Sequence, residues 1–220
     1  MADSLPPPLD VDTVWSVVDA ERLGLAELLG GLSEEQWDCP SLCAGWRVRD
    51  VAAHLTLAHT GVVAAAVGMA RARGSFDRMV RDTARRRAAG PAVRLIAELR
   101  AMVGSRRHAP GVSHLEPMLD VLVHGQDIAI PLGIPRPMPV DAAAAAATRV
   151  WTMGWPMSRA FRARSRLRGL RLVATDVDWS VGEGHRVEGP VEALLLLLTG
   201  RTAALDRLSG PGVARVPVRA

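Results

Sequence analysis

The stretch LEPMLDVLVHGQDIAIPLG, Leu115–Gly133, constrains this chain more than any other. Read as a helix, it sets Glu116, Asp120 and His124 at i, i+4 and i+8. Each step of four residues advances only about 40° round a helix of about 100° per residue, so the three side chains form one polar ridge. Met118, Leu119, Val121, Leu122, Val123, Ile128 and Ile130 make the remaining surface apolar nearly all round, as in a buried helix. A carboxylate and an imidazole in that setting are costly unless they are paired or bound to a metal. Asp120-x-x-x-His124 is therefore half of a candidate metal site, and the other half must come from elsewhere in the chain.

The flanking sequence supplies more helices. Asp10 or Asp12 caps a first helix running to about Leu32, with Val14, Val17, Val18, Leu25, Leu28 and Leu29 at helical spacing. Residues 1–9 are Pro-rich and read as a frayed lead-in. Ser33-Glu34-Glu35-Gln36 has the form of a capping box for a short turn carrying Trp37. Asp38–Trp46 is a loop. A second helix is expected from Val48 to about Arg73, with His54 on its inner face and His59 about 140° away. Gly74–Arg87 reads as a polar connection, Ala92–Arg107 as a third helix, and Ser113 as the cap of the central one.

After the stiff Ile134–Pro139 linker, a fifth helix is expected to about Arg162, carrying Trp151 and Trp155. The period then changes. Leu170–Thr175, Asp178–Val181 and Arg186–Glu188 alternate like strands, with Gly182–Gly184 as a turn, and a helix opens after Gly189-Pro190. The expectation is a mainly α chain: an antiparallel helical bundle over residues 1–165 and a small α+β domain over 166–220.

In an antiparallel bundle, His54 on the second helix can meet Asp120 and His124 on the fourth, which is how bundles build metal sites. Two imidazoles and one carboxylate leave a zinc ion an open position, the catalytic pattern. Spacing alone also allows satisfied core histidines with Asp120 as their partner. Glu116 competes for the carboxylate role, but about 12 Å of helix axis separates it from His124. Asp127 suits either an orienting contact to His124 or an ordinary helix-end contact. Cys39 and Cys43 are four apart, form neither a disulfide framework nor a redox motif, and read as packed small residues. His108, His114 and His185 stand near Pro or Gly and read as surface residues.

Other classes are disfavoured. The net charge is +4, Tyr is absent, and every basic residue except histidine is Arg. The Arg-rich 71–107 stretch lacks the stacking aromatics of a nucleic-acid face. The start MADSLPPPLD has no basic and apolar leader. Val191–Thr199 is too short to span a bilayer. A soluble cytoplasmic protein is expected, as a monomer or homodimer, with small-molecule partners.

LSEEQWDCPSLCAGWRVRDVAAHL (Leu32–Leu55) and DVLVHGQDIAIPLG (Asp120–Gly133) resemble the mycothiol-dependent maleylpyruvate isomerase family, within the DinB-like metal-binding four-helix bundles. Leu172–Arg201 resembles the small sterol-carrier-like C-terminal domain found with that bundle. The resemblance implies that His54, Asp120 and His124 hold a divalent metal, zinc by type, and act catalytically through it. Family members commonly carry Glu where this chain has Asp120, and often Trp where it has Gln126. Arg201 matches the Arg that ends the Leu-rich helix; it would bind an anionic group of thiol or substrate, or serve as a helix C-terminal cation. The implied activity uses mycothiol as a cosubstrate, for isomerisation of a small electrophile or thiol transfer to it. A metal-dependent hydrolase and a non-catalytic small-molecule binding protein are the alternatives.

Overall fold

A computed structural model describes residues 3–59, 62–108, 112–154, 158 and 161–217. The chain divides into two compact units. One is contiguous, Val11–Arg136; the other combines Met1–Asp10 with Pro137–Ala220. The Ala-rich helix near residue 140 packs on elements of the C-terminal unit.

In the contiguous unit, α1 (Val11–Gly30) packs on α6 (Ala92–Ala101) and α7 (Leu115–Ala129), and α3 (Val48–Leu55) packs on α5 (Phe76–Ala88) and α7. The short α2 (Glu34–Asp38) is opened by the expected capping box, with Ser33 and Gln36 as its reciprocal pair, and buries Trp37. Leu25, Leu29, Val48, Val51, Leu95, Leu99, Val121 and Ile128 are among the core residues.

Three helices of this unit differ from expectation. The long second helix is interrupted: α3 ends at Leu55, a 3-10 turn covers Thr56–His59, and α4 (Val62–Arg71) follows. The polar connection contains a thirteen-residue helix, α5, capped by Ser75. Among its described side chains the fully buried ones are Ala84 and Ala88, four residues apart, which carry a weak apolar signal. Its arginines brace α3: Arg85 Nη2 donates to the Gly45 carbonyl at 2.8 Å, and Arg87 Nη1 donates to Thr56 Oγ1 at 2.9 Å. The third helix, α6, stops at Ala101 instead of Arg107. There Gly104 takes φ +78°, and buried Arg22 of α1 donates to the carbonyls of Met102 (2.9 Å) and Ser105 (3.3 Å).

In the other unit, β2 (Ser180–Gly182), β1 (Leu170–Ala174) and β3 (His185–Gly189) form a sheet in that order. β1 runs antiparallel to β2 and parallel to β3. The chain therefore crosses the start of β1 between β2 and β3. Gly182 (φ +80°) and Gly184 (φ +118°) make that crossing; a Cβ on Gly184 would collide with the Gly169 carbonyl. α8 (Val140–Thr152) and α10 (Val191–Leu198) pack together, and α10 also packs on β1 and β3. The short α9 (Ala163–Arg166) lies between α8 and β1 in sequence. The expected fifth helix ends at Thr152, ten residues early; Trp155 and Pro156 lie outside the described residues.

The lead-in is not frayed at Asp3 and Ser4. Ser4 exchanges two 2.8 Å backbone hydrogen bonds with Ser180, and the Asp3 carboxylate accepts from Trp151 Nε1 and from the Gly182 amide. No described helix is long and apolar enough to cross a membrane.

Candidate metal centre

α3 and α7 face each other in the contiguous unit, and their contact brings His54 together with Asp120 and His124. One ligand-type atom from each lies within 4.8 Å of the other two. The His54 and His124 rings meet edge to face, with centroids 4.8 Å apart and planes at 77°. Trp46 also packs edge-on against His54, its centroid 5.6 Å away. All three candidate ligands are half-buried, so the group sits at the rim of the core with access to solvent.

The local sequence explains the placement. α7 begins where Ser113 Oγ accepts from the Leu115 amide at 3.2 Å, and Glu116 Oε2 accepts from the Ser113 amide and hydroxyl, both at 2.6 Å. Glu116 thus serves the helix start, and Asp120, one turn on, joins the histidines. On the other side of α7, Gly125 lets Arg136 pass: a Cβ there would lie 2.8 Å from Arg136 Nε. Arg136 is fixed to Glu21 of α1, and its carbonyl accepts from Gln126 Nε2. Gln126 is buried and engaged with the chain leaving α7.

α3 is held by its own cap. The Asp50 carboxylate, almost fully buried, accepts from the Arg47 amide at 2.9 Å. The preceding loop is tied to α7 through the Leu42 amide, which donates to the Asp127 carbonyl at 3.1 Å.

That loop delivers a residue the sequence did not reveal. Cys43, read as a packed small residue, donates its thiol to Asp127 Oδ2 at 3.0 Å and lies 3.7 Å from His124 Nδ1. Asp127 is fully buried, and the same Oδ2 is 2.8 Å from His124 Nδ1. No sequence signal pairs Cys43 with side chains more than 80 positions on; only the carboxylate three residues after His124 pointed to this network.

The network defines the histidine. Burial drives the His124 imidazole toward its neutral form, but hydrogen bonds to Asp127 and Cys43 and their charge outweigh it, pushing its pKa up to about 10. With Nδ1 engaged by Asp127, Nε2 is the nitrogen free in chemical type to bind an ion. A carboxylate behind the distal nitrogen is the usual outer partner of a metal-bound histidine. The donor set of two imidazoles and a carboxylate fits a divalent ion of zinc type with an open corner.

Arg201 belongs to the other unit. It follows α10, and its Nη1 donates to the Thr199 carbonyl at 2.8 Å, which satisfies a helix-end acceptor. His108 is exposed and stacks on Trp15; His185 is exposed on β3. His59 is half-buried, and burial together with Arg22 and Arg107 lowers its pKa.

A helical unit with facing histidines and a carboxylate between α3 and α7, joined to a small sheet unit, belongs to the class of DinB-like folds. Residues 18–129 match the sequence family described as the Mycothiol maleylpyruvate isomerase N-terminal domain, and this chain belongs to that family. Two solved structures resemble it over most of both chains. A crystal structure of the mycothiol-dependent maleylpyruvate isomerase is 13% identical, with a TM-score of 0.63, covering 96% of this chain and 95% of the other. A histidine-to-alanine mutant of such an isomerase is 12% identical, with the same TM-score and coverage. Among curated proteins, no sequence matches the chain.

Proposed function

We propose that this protein is a metal-dependent enzyme that uses a low-molecular-weight thiol, mycothiol, to isomerise a small electrophilic substrate or to transfer the thiol to it. The observation that carries the reading is the convergence of His54, Asp120 and His124 at the solvent-accessible rim of the bundle. Family membership supports the choice of thiol. His54, Asp120 and His124 would hold the ion, which when bound supplies positive charge that favours the thiolate form of a coordinating thiol.

The chain's own groups prepare the site. Asp127 holds the His124 ring through Nδ1 and so fixes which nitrogen faces His54 and Asp120. Trp46 limits the tilt of His54 by its edge contact. Arg201 is proposed to bind an anionic group of thiol or substrate. In the reaction class, the thiolate adds to one alkene carbon and the negative charge moves to the electron-withdrawing group. Rotation and expulsion of the thiolate give the cis–trans isomer; protonation gives the thiol adduct.

The test combines metal analysis of the purified protein with a screen of activated alkenes, with and without mycothiol. Thiol-dependent turnover that disappears in His54→Ala and His124→Ala is expected. Turnover that ignores the thiol would point to a hydrolase acting through water, and turnover surviving both substitutions would end the metal reading.

A further inference from the structure

His124 belongs to a second group of metal-ligating type. Cys43, His124 and Asp127 also present one donor atom each within 4.8 Å of the others. The separations are 3.7 Å from Sγ to Nδ1, 3.0 Å from Sγ to Oδ2 and 2.8 Å from Nδ1 to Oδ2. We propose that this group is a separate cation site, on the Nδ1 side of His124, selective for a thiophilic metal ion.

The distances suit coordination. Metal–sulfur and metal–nitrogen bonds of about 2.3 and 2.0–2.1 Å place S and N about 3.6 Å apart at a tetrahedral angle. At the same angle S and O lie about 3.6 Å apart and N and O about 3.4 Å apart. The observed S–N separation matches directly, and the Asp127 carboxylate, now hydrogen-bonded to both partners, withdraws by about 0.6 Å from the thiol and the ring as the ion enters. The donor set contains a sulfur, which the His54 set lacks, and soft thiolate ligands select thiophilic ions over harder ones.

The scaffold is already built. Leu42 anchors the loop on the Asp127 carbonyl, the Cys43 amide donates to Ser41 Oγ at 3.1 Å, and the Trp46 amide donates to the Cys43 carbonyl at 2.9 Å. Asp127 is fully buried while Cys43 and His124 are half-buried, so an ion enters past the thiol and the ring. The entering ion takes the places of the S–H and Nδ1–H protons. Both pass to solvent, and no electron is transferred. It also ends the Asp127–His124 hydrogen bond, so it works against the orientation of His124 toward His54. This site does not require the proposed thiol chemistry, although an occupant would inhibit it.

The experiment titrates the reduced, metal-stripped full-length protein with cadmium and follows sulfur-to-cadmium charge-transfer absorption in the ultraviolet. One equivalent is expected to develop the band in the unmodified protein, in Cys39→Ser and in His54→Ala. Cys43→Ser should abolish the band, and Asp127→Asn should weaken cadmium binding by at least about tenfold. Cadmium NMR of the unmodified protein provides a reading that needs no variant; a resonance of sulfur-containing ligation supports the site. A resonance of nitrogen and oxygen ligation alone overturns it, as does a missing band, a band intact in Cys43→Ser, or a band lost in Cys39→Ser. Zinc retention unaffected by His54→Ala would sink the proposed function and leave this site standing.

Discussion

Replacing Asp127 with Asn tests how the buried carboxylate governs His124. The substitution preserves shape but removes the charge, and Oδ2 is the acceptor for both the His124 ring at 2.8 Å and the Cys43 thiol at 3.0 Å. Two consequences oppose each other. Loss of an outer partner weakens metal affinity by about 10–100-fold, or about 1.4–2.7 kcal/mol. Yet the same carboxylate makes a proton a strong competitor, because it helps push the imidazole pKa up to about 10. At pH 7 that competition costs the unmodified protein about a thousandfold in apparent affinity, tenfold for each pH unit below the pKa. In Asp127→Asn, proton competition should end closer to the ordinary imidazole value of about 6.5.

The variant should therefore bind zinc as well as the unmodified protein, or better, at pH 7, and about 10–100-fold more weakly near pH 10. Competition titrations with a chromophoric chelator across pH 6–10 measure this. The unmodified protein should gain about tenfold per unit through most of the range, while the variant should level off early. Parallel pH profiles for the two proteins would refute the reasoning.

Further outcomes follow from the same geometry. In metal-free protein, the stabilisation from charged His124 is complete below its unfolded pKa of about 6.5 and lost as pH rises through the folded value of about 10. Thermal melts in chelator should thus fall between pH 7 and 10, and zinc-loaded protein should not show this fall. Glu116→Gln disturbs the start of α7 and should cost about 1 kcal/mol in denaturant melts while leaving zinc affinity intact. Asp120→Ala should lower that affinity by more than the about 100-fold attributed to an outer partner. Gly184→Ala places a Cβ against the Gly169 carbonyl at positive φ and should destabilise by at least about 2 kcal/mol. Gly133→Ala, also at positive φ but in open space, should cost only about 1 kcal/mol.

The central helix was legible because a polar ridge on an apolar cylinder is a strong local pattern. It placed Asp120 and His124 on one side, and the shorter α3 still delivered His54 to them. What escaped is non-local or carried by weak local signals. Cys43 meets Asp127 only through a loop pinned to a helix far along the chain. The fully buried side chains described in α5 are two alanines set among arginines. Nothing in the alanine run of α8 states which partner it packs on. Asp3 and Ser4 looked like a tail because their partners, Trp151 and residues of β2, come more than 140 positions later.

That last arrangement bears on the order in which the molecule can be completed during synthesis. Every residue of Val11–Arg136 has emerged before most of the strand-bearing unit is made. The helices around His124 can close on themselves while Asp3 and Ser4 wait for Ser180 and Gly182 to be translated. The half of the molecule with the candidate ligands is thus the half that need not wait for the ribosome to finish.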